Sequence, residues 1–391
     1  MDNKIITKLG IPALLLLATC GAASANQYAL AASSSALYVI QQSGSTMTST
    51  QICNLGSSTW SRDIAMYDND TVLVTETSSS GSSLRVYDLT CSSGNYAATL
   101  KKTISLSSVY KAGSIAIGSN KSIYVAGNSS GSASYAYLSS LSATPSIGSI
   151  TSSSYSHSLF ADVAASGSTG VIISQNEYVK PIGGSYITTL SGGNVGATTS
   201  LEMDASNTPR YPTAVAATDD YTYVVSSTLE YTNSGAISIG SISGTNISTQ
   251  ALSGFNPTDI TKFSIGDTDY LAIIGATSGG TPTALKYRIA GDGSVSQVGT
   301  LSLSATDYTG GFKCIASEDG STLWFSRPNA GIAGALDTSS WSLAGSASTG
   351  SITSFASFDA ANLPVPEPSS LLALASFGVG MLGFAGRRKS A

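Results

Sequence analysis

The sequence predicts an all-β protein, a seven-bladed β-propeller, and three observations carry that prediction. Short apolar strands recur at a near-constant step. Asn, Asp and Gly turns join the strands in pairs. No convincing amphipathic helix interrupts them.

The recurring strand is Leu37-Tyr38-Val39-Ile40, then Val72-Leu73-Val74, Ile123-Tyr124-Val125, Val171-Ile172-Ile173, Tyr223-Val224-Val225, Leu271-Ala272-Ile273-Ile274 and Leu323-Trp324-Phe325. The first step is about 35 residues and each later one about 50, a period that marks a repeat architecture. A partner precedes each strand, at 28–32, 64–67, 115–118, 163–165, 214–217, 263–266 and 313–316. The turns between include Asp68-Asn69-Asp70, Asn120-Lys121, Asp219-Asp220, Asp267-Thr268-Asp269 and Glu318-Asp319-Gly320. Such residues tolerate left-handed backbone and favour hairpins. A third strand follows in several units (84–89, 135–138, 237–242, 285–289), then a more polar fourth (99–106, 295–303). Four strands per repeat, seven times over, is the pattern of a propeller. The first unit looks short, and residues 352–358 are the candidate to close it. A string of β-sandwiches is the alternative, and the even step argues against it. No Trp-Asp signature is present.

The two ends read differently from the middle. Lys4 and Lys8, the apolar run from Leu9 to Ala18 and the small-residue site Ala23-Ser24-Ala25 form a secretory signal peptide over 1–25, with cleavage expected between Ala25 and Asn26. An uncleaved anchor and a lipoprotein signal at Cys20 are the alternatives; the run is short for the first, and Thr19 disfavours the second. The body then spans 26–362. The segment 363–391 holds Val365-Pro366-Glu367-Pro368-Ser369-Ser370, an uncharged apolar stretch over 371–386 and the basic cluster Arg387-Arg388-Lys389 within the tail 387–391. The stretch is expected to form a single transmembrane helix. Sixteen residues rise only about 24 Å, against roughly 30 Å of hydrocarbon. Snorkelling of the basic cluster covers the shortfall, and positive charge holds that end in the cytoplasm.

In residues and order this tail resembles the PEP-CTERM sorting signal of Gram-negative bacteria. The resemblance implies recognition by an exosortase, a membrane-bound cysteine transpeptidase, with processing at or near Pro366-Glu367-Pro368. It implies a transient stay in the inner membrane, then a cell-surface or extracellular destination in organisms that make extracellular polysaccharide.

Composition agrees with export. Charged residues are 10% of the chain, where roughly 25% is ordinary. Hydroxyl side chains supply the surface polarity instead. The net charge is -5, with no basic patch, so nucleic acid is not an expected partner. Polysaccharide or another surface protein is.

Catalytic chemistry is sparse. His157 is the single histidine and lies in a Ser/Tyr-rich stretch, which excludes multi-histidine zinc sites. Asp63, Asp162 and Asp259 each stand immediately before an inner-strand run, at Ile64, Val163 and Ile260, near the expected channel mouth. Together they are a candidate oxygen-ligand set for Ca²⁺. The competing reading is that each accepts backbone N–H groups where its strand begins. The hairpin acids belong to turn chemistry. Cys53 and Cys91 fall in the outer halves of the first two units, where a disulfide between neighbouring blades is a candidate in an oxidising compartment. Cys314 reads as a small buried hydrophobe. The expected function is a non-catalytic binding or structural propeller. The alternative is a secreted lyase or lactonase using channel carboxylates and a metal.

Overall fold

The computed structural model describes residues 26–56, 62–78, 81–92, 94–109, 111–129, 132–150, 158–176, 185–201, 210–228, 234–303, 312–327, 331–359 and 363. The expected signal peptide over 1–25, His157 and the segment 363–391 apart from Leu363 lie outside them.

The strands form seven antiparallel four-stranded blades, and no helix occurs among the described residues. Blades 2 to 7 run in sequence order from the axis outward. Their innermost strands are Ile64–Asp68, Ser114–Ile117, Ser158–Ser166, Arg210–Ala217, Phe255–Ile265 and Cys314–Ala316. A parallel bridge from Ser234 to Phe255 links the sheets of blades 5 and 6.

Blade 1 is assembled from both ends of the body. Gln27–Ser33, Ala36–Ser43 and Thr46–Asn54 form its outer three strands, and Ile352–Ser357 is its innermost. The closing strand pairs antiparallel with the first, Ala29 opposite Ser357 and Ala31 opposite Phe355. The expected closure by residues 352–358 is therefore what the structure contains. It also explains the short first step. Leu37–Ile40 is the third strand of its blade, whereas each later run in that series is the second.

The apolar runs are continuous because both faces of each sheet are buried. Successive side chains on a strand point to opposite faces. In blade 2, Val72 and Val74 face blade 1 while Leu73 faces blade 3. Seven buried clusters result, one at each junction between consecutive blades. Trp324 is fully buried at the junction of blades 7 and 1. Burying a side chain of this class stabilises by roughly 1.5–3 kcal/mol.

Two polar locks supplement this packing. Between blades 1 and 2, the buried Arg62 donates to the carbonyls of Ser34 and Gly56 and pairs with Glu76, whose second oxygen pairs with Arg85. Between blades 6 and 7, the Lys286 ammonium donates to the Thr338 carbonyl at 2.6 Å and sits 4.4 Å from the Tyr270 ring centroid. Phe263 and Trp341 complete the cage, each 5.7 Å from the ammonium.

The hairpins that follow the innermost strands meet in a ring on one face. Lys121 of blade 3 pairs with Asp68 of blade 2 at 2.7 Å, and the Ser166 hydroxyl of blade 4 donates to Asp219 of blade 5 at 2.5 Å. Gly320 of blade 7 has φ +68 and lies against the Ser264 carbonyl of blade 6 so closely that a Cβ would collide. Gln27 of blade 1 donates to Asp319 of blade 7 at 3.2 Å. Asp68, Asp219 and Asp319 thus serve seams between blades.

Candidate functional site

The innermost strands line a central cavity of about 370 Å³. Asp63, Asp162 and Asp259 all reach it, as do Ser114, Lys313 and Ser354. These six, with Ala214, occupy one equivalent position per blade. In blade order the position reads Ser354, Asp63, Ser114, Asp162, Ala214, Asp259 and Lys313.

Five of the seven side chains accept a hydrogen bond from the backbone of the next blade around the ring. Ser354 accepts from Ile64 N–H at 3.2 Å, and Asp63 from Ile115 N–H at 2.8 Å. Ser114 accepts from Val163 N–H at 3.3 Å, Asp162 from Val215 N–H at 3.1 Å, and Asp259 from Cys314 N–H at 2.7 Å. The chain of contacts runs on through the hydroxyls: Ser354 donates to Asp63, and Ser114 to Asp162 at 2.6 Å. A strand nearest the axis has no neighbour on its inner side, so its inward N–H groups need other acceptors. A side chain at the first position of the adjacent blade supplies one. Ala214 and Lys313, which cannot accept, break the ring at blades 5 and 7.

Lys313 changes the electrostatics. Its ammonium lies 3.7 Å from Asp259. The Asp259 carboxylate, with help from Asp162 and Asp63, holds the ammonium above its ordinary range. Burial pushes the Asp259 carboxyl up to about 6, against the opposing pull of Lys313. Burial also raises Asp63, again opposed by Lys313. Cys314 is buried beside them, and burial drives its thiol well up, so it is no thiolate nucleophile.

The calcium expectation does not fit this arrangement. Each carboxylate oxygen has a partner: Asp63 Oδ1 also accepts from its neighbour Ile64 N–H, and Asp259 Oδ1 faces Lys313. The cation among the three carboxylates is a lysine. Among the described residues, no group of three His, Cys, Asp or Glu side chains gathers closely enough to hold a metal ion. The arrangement observed is the competing one, backbone N–H groups on carboxylates, with the partner drawn from the next blade.

Cys53 and Cys91 are free thiols packed on the same cluster between blades 1 and 2. Register sets them apart along that junction. Cys53 stands opposite Leu37, level with Ala32. Cys91 stands opposite Tyr96, whose ring packs on Tyr28. Four residues of strand, about 13 Å, separate Tyr28 from Ala32, and a disulfide needs Cα atoms within roughly 7 Å.

Carboxylates alone led to three of the seven ring positions. Ser354, Ser114 and Lys313 are missed by that route. Aligning the units on the residue before each first-strand run would have found Ser114; Lys313 was read there as the first residue of its run.

Fold and tail together define a class: a seven-bladed β-propeller carrying a protein-sorting motif. Residues 364–389 match the PEP-CTERM protein-sorting motif. That motif implies export through a membrane-anchored intermediate in Gram-negative bacteria and processing by exosortase. Comparison with curated proteins finds no match. Similar solved structures include the periplasmic gluconolactonase of Pseudomonas aeruginosa, at 13% identity over 85% of this chain and 98% of that one, TM-score 0.57. A candidate 6-phosphogluconolactonase of Bacteroides uniformis shares 12% identity over 84% and 98%, TM-score 0.59. Apo AztD of Citrobacter koseri shares 10% over 85% and 97%, TM-score 0.51. At such identities the likeness establishes the fold alone.

Proposed function

We propose that the protein is an exported, exosortase-processed surface or matrix component whose propeller is a non-catalytic binding and structural scaffold. One observation carries this reading: the channel carboxylates are engaged in joining blade to blade, each oxygen already partnered. A carboxylate that must hold two blades together is poorly placed to move a substrate proton. Polysaccharide or a neighbouring surface protein is the ligand class for the scaffold. Intact-mass analysis of the extracellular form, beside a strain lacking exosortase, tests the maturation. Cleavage after Ala25 and loss of the tail near Pro366-Glu367-Pro368 are expected. An intact chain in the cytosol would overturn the reading.

A second reading rests on Asp259 and Lys313. A carboxyl with a pKa of about 6 beside an ammonium, in an open channel, has the ingredients of an acid/base pair. Structures named as gluconolactonases share this fold. Sugar-lactone hydrolysis by the secreted protein discriminates. No turnover supports the scaffold; turnover abolished by Asp259→Asn, in a variant that still folds, establishes the enzyme.

A further inference from the structure

A groove opens where blades 5 and 6 meet, beside their hairpins. Its volume is about 800 Å³, more than twice that of the channel and within the range of ligand sites. Register shows why it is open. The blades align on the strand pairs Ile115–Val125, Val215–Val224 and Ile260–Ile273. That alignment places Ile239 of blade 5 at the third-strand position held by Tyr137 in blade 3 and by Lys286 in blade 6. The Tyr137 ring lies against Gly193, in the hairpin between the third and fourth strands of blade 4. Lys286 fills the seam of blades 6 and 7 within its aromatic cage. The shorter Ile239 leaves the seam of blades 5 and 6 unfilled.

One side of the groove is aromatic. The Tyr221 ring lies against Gly293, in the outer hairpin of blade 6, so closely that a Cβ there would collide, and Gly293 has φ +81. The Tyr223 hydroxyl donates to the Gly293 carbonyl at 3.3 Å and fixes the hairpin. Tyr221 itself is half-buried and lines the groove. The rest of the lining is largely polar. Ser294 donates to Asp292 Oδ1 through its N–H at 3.0 Å and its hydroxyl at 2.6 Å. These bonds hold the Asp292 carboxyl below its ordinary range, so it is ionised. Asp220, Asn246 and Gln250 line the groove too, and among the described residues their side chains make no hydrogen bond or ion pair. The channel carboxylates are spent on joining blades; these groups are not. Among the described residues lining the groove there is no Lys or Arg.

We propose that the groove between blades 5 and 6 binds a neutral polysaccharide through Tyr221, Asp220, Asp292, Asn246 and Gln250. The proposal rests on the scaffold reading above and gives that scaffold a ligand site. A sugar ring offers an apolar C–H face and a rim of hydroxyls. The C–H face suits the Tyr221 ring, which is apolar in body and polar at its tip. The hydroxyls donate to the two carboxylates as charge-assisted hydrogen bonds. The Asn246 and Gln250 amides both donate and accept, as hydroxyls do. An acidic glycan or a phosphate would meet two carboxylates and no cation, and like charges repel. An apolar ligand would leave the polar groups unpaired. The site is also ordered in advance. The Ser241 hydroxyl bonds to those of Ser243 at 2.7 Å and Thr245 at 2.9 Å, which steadies the turn that carries Asn246. A groove held in this way loses little freedom when a ligand enters.

The test is affinity electrophoresis of the full chain, in neutral detergent, through native gels containing dextran, galactomannan or xyloglucan, with alginate as the acidic comparison. Wild type is expected to be retarded by at least one neutral polysaccharide and not by alginate. Asp220→Ala combined with Gln250→Ala removes two side chains that hold nothing else in place, and should weaken the retarding interaction by about tenfold or more. Tyr221→Ala should weaken it to a similar degree, and Tyr221→Phe, which keeps the ring, should not. Thermal melts confirm that each variant is folded; the double variant decides the matter if Tyr221→Ala does not fold. Retardation by none of the neutral polysaccharides, stronger retardation by alginate, or retardation that survives the double variant would overturn the site. In the last case the scaffold reading stands without it. Hydrolysis of the retarding polysaccharide would sink the scaffold reading instead, and loss of retardation in the double variant would still establish the groove as the place of binding.

Discussion

Replacing Asp63 with Ala probes the ring where it joins most blades. Its carboxylate accepts from Ile115 N–H of blade 3 at 2.8 Å, from Ile64 N–H of its own blade at 3.0 Å, and from the Ser354 hydroxyl of blade 1. After Asp63→Ala, Ile64 keeps Ser354 as acceptor, but Ile115 N–H loses its partner and the Ser354 hydroxyl must find another. An orphaned buried donor costs about 1–3 kcal/mol, and hydrogen bonds to a charged group are worth about 1.5–3 kcal/mol each. Offsetting this, the variant no longer buries a carboxyl whose raised pKa shows that burial disfavours its charge. A net loss of about 2–3 kcal/mol follows. At about 2 °C per kcal/mol for a large domain, the melting temperature should fall by roughly 4–6 °C near pH 7.5. Asp63→Asn keeps one acceptor for Ile115 and should cost less than half as much. Calorimetry of the two variants beside wild type gives the answer. A melt for Asp63→Ala within about 1 °C of wild type, or an Asn variant as damaged as the Ala one, would refute the ring as a source of stability.

Further outcomes follow from the same geometry. The Asp259 pKa of about 6 lies above the unfolded value near 3.9, so the native state holds its proton longer and stability falls as pH rises from about 4 to 6. Asp259→Asn should remove that component, on the order of 2–3 kcal/mol, from the pH dependence of urea unfolding; identical pH profiles would exclude it. Lys286→Met keeps the chain volume but loses the cage attraction and the bond to Thr338, and should lower the denaturation midpoint by the equivalent of about 2 kcal/mol. Glu76→Ala strands the buried Arg62 guanidinium and should cost about 3–5 kcal/mol in urea melts, more than Glu76→Gln. Removing residues 364–391 should leave the melt unchanged, whereas removing 352–391 should abolish the cooperative transition; a cooperative melt in the shorter chain would contradict closure through Ile352–Ser357.

Much of the fold was legible because its signal is local and repeated. A strand buried on both faces must be a continuous apolar run, so Val72-Leu73-Val74 and Val171-Ile172-Ile173 announce themselves. Hairpins such as Asp68-Asn69-Asp70 carry turn residues at the turn. The first blade was harder to parse. Leu37–Ile40 looks like a second strand, and only the distant strand beginning at Ile352 makes it the third. The site was legible as positions but not as contacts. Asp63, Asp162 and Asp259 were found because carboxylates stand out in a charge-poor chain. Their partners Ile115, Val215 and Cys314 lie about 50 residues further on, a separation only the repeat brings together. The Lys286 cage escaped for the same reason: Thr338 and Trp341 come from the next blade.

Splitting blade 1 between the two ends of the body has a consequence for biogenesis. On the export route proposed above, the chain is delivered from its N-terminus onward, so the three outer strands of that blade wait outside while six further units emerge. Their inner edge is satisfied only when Ile352 and its neighbours arrive, moments before the apolar stretch reaches the bilayer. On that route ring completion and membrane arrest would nearly coincide. A polypeptide cut short anywhere upstream presents an open edge to periplasmic proteases and has no tail to be sorted, so one stretch of sequence near the terminus enforces both structural integrity and delivery.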